Sequence, residues 1–375
     1  MKGDLKIRKK AEVPRSKRRH GPESQKSEAC NLSNANFAEL LALEAEEATG
    51  HLHRALRKAS RAALLWPVEV QDLLARSESL QQLPGIGPYL EKLLKRWNEV
   101  PPGLPPRPPA LRKDFLTLAQ ARRILQKNPD WANQYKGDLQ MHSTWSDGAG
   151  SILAMAKAGK ARGYEYIGIT DHSQGLKIAG GMSEAELTLQ AAEIGKVNAS
   201  MAKRGHAFRV LKSLEMNLSP TGEGDMTPQS LRKLDLVVGS FHSKLRVAED
   251  QTGRYLAALR NPFVTILGHP RGRIYNHRLG LRADWERVFA EAARLDKAVE
   301  IDSYPDRQDL DVELLLLARK EGVRIAIDTD AHAPEQLGWV ELGLAAALLA
   351  GIPASRVVNF LPASAVLAWA QSLRA

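Results

Sequence analysis

The chain has 375 residues, 43% of them hydrophobic, and a formal net charge of +10; this length suits one large domain and one smaller one. No apolar run approaches the roughly 18 residues of a membrane span, and no apolar segment follows the basic N-terminus, which excludes a typical secretory signal. Cys30 is the only cysteine, so intrachain disulfides are excluded, a metal site must use histidines and carboxylates, and we expect a cytoplasmic protein without membrane partners.

Residues 1–33 form a basic tail. Residues 1–28 contain ten Lys or Arg and four Asp or Glu, so +6 of the net charge lies there. Such a segment has too little apolar surface to form a core, and we expect it to be disordered. It is either an electrostatic arm for nucleic acid or a solubilising tail.

Residues 34–99 have the apolar spacing of helices, for example Phe37, Leu40 and Leu41. The run 83–88, Leu-Pro-Gly-Ile-Gly-Pro, resembles a helix-hairpin-helix motif. A tight glycine turn of this kind exposes backbone N–H groups at a helix N-terminus, where a phosphate can bind. An ordinary joint between two helices is the alternative. The candidate DNA-binding residues are Gly85, Gly87, Lys92 and Lys95.

Residues 100–134 begin as a Pro-rich linker and continue, by prediction, as one helix over 114–127. From 135 to 375 short apolar strands alternate with amphipathic helices, which predicts a parallel sheet with helices outside. About seven such repeats favour a closed β/α barrel over an open doubly wound sheet, the alternative fold. The strands are predicted at 137–142, 166–170, 209–214, 235–240, 264–268, 297–302 and 323–328.

Almost every predicted strand ends in a titratable residue. The carboxyl ends of parallel strands share one face, where active sites are built. Clustered carboxylates repel one another, and divalent cations such as Zn²⁺, Mn²⁺ or Fe²⁺ remove that conflict. Paired ions suit hydrolysis of phosphate esters, whereas amide or deaminase chemistry on a similar barrel is the competitor. These residues are His142, Asp147, Asp171, His172, Glu215, His242, His269, Asp302, Asp330 and His332.

The motifs around these residues are similar to those of the PHP (polymerase and histidinol phosphatase) family, in the family's order. The run 137–148 resembles its first motif, and 170–172, 214–216, 239–243, 268–270 and 330–332 resemble the later ones. The resemblance covers about 136–370 and is most specific to the C-terminal PHP domain of bacterial family X DNA polymerases. It implies a distorted seven-stranded β/α barrel that holds two or three divalent metal ions.

The resemblance also implies three sets of metal ligands. The first is His142, Glu215 and Asp330. The second is Asp147, His172 and His332. The third is Glu215, His242 and His269, with Glu215 bridging.

One departure concerns Gln140, which stands where the family usually has a histidine. An amide is a weak ligand, so the first ion could be loosely held or absent. Two further residues are assigned to catalysis. Asp171 is expected to orient His172, and Arg273 to grip a substrate phosphate. Arg307 is a second phosphate candidate, with an ion pair to a neighbour such as Asp309 as its alternative.

Residues 37–99 resemble the small DNA-binding domain of the same polymerases, but 97–136 is too short for a polymerase core. We therefore expect a metal-dependent enzyme that processes DNA ends, as a 3′–5′ exonuclease or 3′-phosphatase, with DNA as partner. A small-molecule phosphatase of the histidinol phosphatase type is the first alternative. A non-catalytic DNA-binding protein, supported by Gln140 alone, is the second. The metal identity and the oligomeric state are not predicted.

Overall fold

The computed structural model describes residues 32–104, 107–203 and 207–374. The described residues belong to one compact unit, Leu32–Ala375. The basic tail predicted at 1–33 lies outside them except for its last two residues, so its disorder and its role stay predictions. Among the described residues, no helix combines the length and the apolar character needed to cross a membrane.

The N-terminal part of this unit is helical, as the apolar spacing predicts. Ser33 begins the first helix with a capping box, in which its side chain and that of Asn36 each bond the other's backbone N–H. Phe37, Leu56 and Trp66 are fully buried between the helices. The helices are α1 (Asn34–Glu47), α2 (Gly50–Ala63), α3 (Val70–Ala75) and α4 (Pro88–Glu99).

The helical part shares its core with the rest of the molecule. Tyr275, which follows the fifth predicted strand, is buried among the N-terminal helices. Its hydroxyl lies 3.1 Å from the Ser60 hydroxyl of α2, and its ring packs edge-on against Phe115. Buried Arg112 contacts Glu39 of α1 at 2.8 Å and Asn276 at 3.0 Å. These contacts join the helical part to the loops of the C-terminal part, while the predicted domain boundaries stay predictions.

The linker contains α5 (Leu118–Gln126) and the single turn α6 (Pro129–Ala132). The helix predicted over 114–127 begins four residues later than expected. Asp114 has a φ of +60°, which is incompatible with a right-handed helix. Thr117 then caps α5, with Gln120 completing the capping box. Cap chemistry at Thr117 sets this boundary more strongly than the apolar spacing does.

All strands of the C-terminal part pair in parallel and in sequence order. The third predicted strand is found as two pieces, β3 and β4, separated by residues 213 and 214. The strands are β1 (Gly137–Asp138), β2 (Tyr166–Ile169), β3 (Arg209–Lys212), β4 (Glu215–Asn217), β5 (Val238–Ser240), β6 (Ile266–Leu267), β7 (Ala298–Asp302) and β8 (Arg324–Asp328).

Two bridges close this sheet. A parallel bridge between His172 and Glu215 joins the β1–β3 sheet to the β4–β8 sheet. A second between Met141 and Ala331 joins the ends of β1 and β8, where the His142 amide donates to the Ala331 carbonyl at 2.8 Å. Sequential order with closure excludes the open doubly wound alternative. The fold is a distorted seven-stranded β/α barrel, as predicted.

Strand residues are buried on both faces, as a parallel sheet covered by helices requires; every residue of β2 and β7 is buried. Trp369 and Val366 pack with Tyr166, Ile266 and other residues at the strand starts, and so close the amino-terminal end of the barrel. The outer helices are α7 (Ile152–Ala161), α8 (Glu184–Lys203), α9 (Pro228–Leu231), α10 (Thr252–Arg260), α11 (Trp285–Arg294), α12 (Val312–Glu321), α13 (Val340–Leu349) and α14 (Ala363–Ser372).

Candidate metal centre

The carboxyl ends of the strands surround a cleft of about 190 Å³. Parallel pairing places all these ends on one face of the barrel. The structure therefore brings together the eight strand-end side chains that the sequence suggests as ligands, seven of them lining the cleft and His142 lying buried beneath it. They are His142, Asp147, His172, Glu215, His242, His269, Asp330 and His332.

Glu215 lies at the centre of this group and has no exposed surface. Its Oε1 lies 2.7 Å from Nε2 of His269 and 3.2 Å from Nε2 of His242. Its Oε2 lies 3.0 Å from Nδ1 of His172 and 3.5 Å from Nε2 of His142. One carboxylate therefore touches four imidazoles from four different strand ends, which is the position a bridging ligand needs.

Asp147 and Asp330 complete the centre on either side of His142. The Nε2 of His142 lies 2.9 Å from Oδ1 of Asp330. Oδ1 of Asp147 lies 3.4 Å from Nε2 of His332, 3.6 Å from Nε2 of His172 and 3.8 Å from Nδ1 of His142. The contact of His142 with Asp330 is also a hydrogen bond, whereas the longer separations around Asp147 are spaced as the ligands of one ion are.

Three groups of side chains have ligand atoms within 4.8 Å of one another. His142, Glu215 and Asp330 form the first group, the set that the resemblance implies. The second group contains Asp147, His172 and His332 with His142 added. The third contains Glu215, His242 and His172. His269, which the resemblance implies for this set, is not in the group, but its Nε2 lies 2.7 Å from Oε1 of Glu215.

Charge compensation within the cluster appears in its pKa values. Burial opposes ionisation of Glu215, but the histidines around it hold its pKa well below the usual range. Burial also opposes protonation of His269 and His332, yet Glu215 and Asp147 respectively raise their pKa to about 9. The carboxylates therefore favour the protonated forms of His269 and His332, and divalent cations binding at the same atoms would replace those protons.

Backbone strain accompanies the site. Asp330 has a φ of +52° and His269 a φ of +21°, in a region that residues with a Cβ rarely adopt. Each lies two residues after the last residue of a strand, and both side chains line the cleft. Strain of this kind persists only where the surrounding structure enforces it, and it is concentrated at functional sites.

The donor set fits divalent metal ions. Nδ1 of His142, Nδ1 of His172 and Oε2 of Glu215 are buried without a hydrogen-bond partner among the described residues. Gln140 is also fully buried, beside Gly268, and neither atom of its amide is paired there. Unpaired buried polar atoms are costly, and an ion bound at these atoms would satisfy them. Imidazole and carboxylate without thiolate suit Zn²⁺, Mn²⁺ or Fe²⁺, and the number and identity of the ions stay predictions.

Asp171 has a different position from the one expected. Its carboxylate accepts hydrogen bonds from the Ser143 amide at 2.7 Å and hydroxyl at 2.6 Å, the Ser146 hydroxyl at 2.6 Å and the Gln190 amide at 2.6 Å. Among the described residues it makes no hydrogen bond to His172, so the expected orienting contact is absent. Asp171 instead fixes the loop after β1, which carries Asp147.

The contacts of Arg273 do not support the phosphate role predicted for it, which stays a prediction. Its guanidinium lies 3.9 Å above the Phe115 ring, donates to the backbone carbonyls of Arg307 and Asp114, and contacts Asp311 at 3.2 Å. The side chain is buried and faces away from the cleft. A sequence does not show which side of a loop an arginine faces, and here aromatic and carbonyl partners hold it beneath the loop.

Two other arginines line the cleft. Arg307 contacts Asp330 and lies 3.5 Å from Asp302, so it forms ion pairs of the kind its alternative role described, although with these carboxylates and not with Asp309. Arg278, which the sequence analysis missed because no motif surrounds it, donates through Nε to the Gly272 carbonyl. Among the described residues the other N–H groups of its guanidinium form no hydrogen bond, so they could donate to a phosphate.

The predicted DNA-binding residues lie outside the cleft, on the hairpin. Gly85 has a φ of +83°, which a tight turn requires, and Gly87 precedes Pro88 at the start of α4. Lys92 is exposed and makes no ion pair among the described residues, whereas Lys95 lies 3.0 Å from Glu91. The turn is therefore tight and leads into the start of α4, and its phosphate and DNA contacts stay predictions.

The chain is similar to several known proteins, although no family model matches it. It is 38% identical over 261 residues, 68% of its own length, to "DNA polymerase/3'-5' exonuclease PolX" of Bacillus subtilis, and spans 44% of that protein. It is 30% identical over 234 residues to "Probable phosphatase Teth514_1060" of Thermoanaerobacter sp., covering 59% of this chain and 89% of that one. A solved histidinol phosphate phosphatase from Lactococcus lactis, complexed with zinc, L-histidinol and phosphate, gives a TM-score of 0.42 at 16% identity over 58% of this chain and 95% of that one.

Proposed function

The chain belongs to the PHP family of metal-dependent phosphoric ester hydrolases, and from that premise we propose that it hydrolyses phosphoesters at DNA ends. The reaction would be that of a 3′–5′ exonuclease or a 3′-phosphatase in repair. The observation that carries the proposal is Glu215, a fully buried carboxylate in contact with four imidazoles beside a cleft with two arginines. The Bacillus relative is named as a DNA polymerase and 3′–5′ exonuclease, which supports the choice of DNA.

Bound at these side chains, divalent cations would polarise the phosphoester and activate water for in-line attack, so no protein nucleophile is needed. Glu215, His142 and Asp330 would hold one position, and Asp147 with His332 another. Arg307 and Arg278, which line the same cleft, would bind the phosphate oxygens. Asp171 keeps the Asp147 loop in register through its bonds to Ser143 and Ser146.

The hairpin favours DNA over a small substrate. A phosphoesterase barrel needs no phosphate-binding turn, and here a tight turn at Gly85 precedes the start of α4 in the same compact unit. Backbone N–H groups at a helix start bind phosphate without reading sequence. The hairpin would therefore hold the strand while the cleft takes its terminal phosphate.

The test is a panel of substrates with purified protein and Mn²⁺. It contains 3′-recessed and 3′-phosphorylated oligonucleotides and one small phosphomonoester, each with wild type and with His242→Ala. We expect turnover of a DNA end that is lost in the variant together with bound metal. Turnover of the small ester alone would overturn the DNA assignment.

A small-molecule phosphatase is the second candidate. It is favoured by the Thermoanaerobacter relative, a probable phosphatase of which the chain covers 89%. On this hypothesis kcat/KM for a small phosphomonoester would exceed that for every DNA end, and added DNA would not inhibit the reaction. The third hypothesis, a non-catalytic protein, rests on Gln140 alone. The eight other suggested ligands lie together in the cluster, which favours an enzyme over this hypothesis.

A further inference from the structure

A stripe of basic side chains covers one face of α2. Arg54, Arg57, Lys58 and Arg61 follow the spacing i, i+3, i+4, i+7, which aligns them along one side of a helix. All four are exposed, and α2 contains no acidic residue. Among the described residues the only acid within 4.0 Å of any of them is Asp306, 3.9 Å from Arg61. Four aligned cations with a single acidic neighbour repel one another, and this arrangement favours an anionic partner.

The barrel extends this stripe toward the cleft. Exposed Arg246 lies 2.7 Å from His277, and neither Arg246 nor Arg278 forms an ion pair among the described residues. The pKa of His277 is lowered by burial and by the positive charges of Arg246, Arg278, Arg61 and Arg57, which places cations of α2 and of the barrel around one imidazole. Arg278 itself lines the cleft.

The stripe also lies between the hairpin and the barrel. Ser60, on one side of Arg61, contacts Tyr275 of the barrel at 3.1 Å. Ala62, on the other side, faces the hairpin turn, since a Cβ added at Gly85 would lie 3.3 Å from its own. A continuous basic surface therefore runs from the hairpin along α2 to Arg278 at the cleft.

The size of the cleft shows why such a surface is needed. Its volume, about 190 Å³, is below the roughly 300 Å³ at which pockets begin to enclose small organic ligands. The cleft can take a terminal phosphate and part of a sugar, but the rest of a polymer must lie outside it. Phosphates outside the cleft would then meet the cations nearest to its rim.

We propose that α2 and the barrel loops carrying Arg246 and Arg278 form the track on which a DNA strand lies when its end enters the metal centre. This inference rests on the proposed function and names the surface that delivers the substrate. Binding would be electrostatic and independent of sequence, because side chains on an exposed helix face reach phosphates without entering a groove. Arg278 would contact the phosphates nearest to the scissile bond.

The experiment measures DNA binding by the full-length protein. Fluorescence anisotropy with a labelled single-stranded oligonucleotide is recorded from 50 to 300 mM salt for wild type and for Arg54→Gln/Arg57→Gln/Lys58→Gln. Each lost phosphate contact should reduce the slope of log K against log salt by about 0.7. We therefore expect the slope to fall by about 2 and the affinity to fall at least about tenfold at the lower salt concentrations.

The matched control is Lys157→Gln/Lys196→Gln/Arg287→Gln, which removes three exposed cations on α7, α8 and α11 that form no ion pairs among the described residues. It should bind DNA as wild type does, and both triple variants should keep the wild-type melting temperature and metal content. If both triple variants lose the same DNA affinity, the effect comes from net charge alone and the proposed track is wrong.

Failure of the track and failure of the proposed function give different results. If the α2 variant binds and degrades DNA with an unchanged salt slope, the track is wrong while DNA-end hydrolysis stands. If wild type hydrolyses a small phosphomonoester but neither binds nor degrades any DNA, the proposed function fails, and the track fails with it.

Discussion

The Oε1 atom of Glu215 lies 2.7 Å from Nε2 of His269, although the two residues are 54 positions apart in the chain. Glu215 begins β4 and His269 follows β6, so the intervening β5 and its loop separate them in the sheet. The barrel curves enough for both side chains to reach its axis. The centre of the site therefore depends on closure of the sheet rather than on any one loop.

Glu215→Gln should abolish the metal centre. Glutamine keeps the shape of the side chain but removes the negative charge that faces four imidazoles, and a neutral amide is a weak ligand. We expect loss of bound divalent metal and at least about a hundredfold lower kcat on a phosphomonoester, measured by elemental analysis and steady-state kinetics. Glu223→Gln, at an exposed position, is the control. Full metal occupancy in Glu215→Gln would show that Glu215 is not a ligand.

Asp171→Asn should weaken metal binding without removing a ligand. The variant amide cannot accept from both the Ser143 and the Ser146 hydroxyls, so the loop that carries Asp147 loses its anchor. Changes of this kind around a metal site cost about 10–100-fold in affinity. Calorimetric titration with Mn²⁺ measures this loss, and Ser146→Ala, which removes a single donor, should cost less. Wild-type affinity in Asp171→Asn would show that the loop is held by other contacts.

Arg307→Gln and Arg273→Gln should separate substrate binding from stability. Arg307 lines the cleft, so its variant should retain metal and lose about tenfold or more in kcat/KM. Arg273 is buried against Phe115, and removing its charge breaks its bonds to two backbone carbonyls, at a cost of about 2 kcal/mol, while Asp311 keeps Arg271 as an ion-pair partner. Its melting temperature should fall while kcat/KM of the folded enzyme stays within about twofold of wild type. The reverse pattern would restore Arg273 as the phosphate ligand.

Lys297 should make stability depend on pH in the alkaline range. Burial lowers its pKa from 10.5 to about 8, and its ammonium donates to the Asn261 carbonyl at 2.6 Å. Below pH 8 the group is charged in both the folded and the unfolded state, so folding bears the full cost of burying the charge. That cost disappears as pH rises from 8 to 10.5, because the folded protein releases its proton first.

The melting temperature of wild type relative to Lys297→Met should therefore rise by a few degrees between pH 7.5 and pH 10. Thermal unfolding followed by circular dichroism at both pH values measures this change. Lys157→Met, at an exposed position, should track wild type at both. Parallel pH curves for wild type and Lys297→Met would show that the buried ammonium is already compensated.

The fold and the strand-end residues could be predicted because both follow from periodicity. Apolar runs alternating with helices indicate parallel strands, and a residue directly after such a strand must lie at the shared carboxyl face. His242 and His332 were located by this rule without any contact being known. The same rule placed Asp171 among them, but not the direction of its carboxylate, which the donors at Ser143 and Gln190 decide.

Contacts between distant segments decided the rest. Arg273 and Arg278 are five residues apart in one loop with no repeating geometry, so their opposite directions depend on Phe115, Asp311 and Gly272. The basic face of α2 can be read from spacing, but its position beside the cleft follows only from the packing of Ser60 on Tyr275. The sequence determined which side chains leave each strand or helix on the same side, since that depends on local backbone period. Only the tertiary structure decided which of those sides face one another, because long-range packing sets that arrangement.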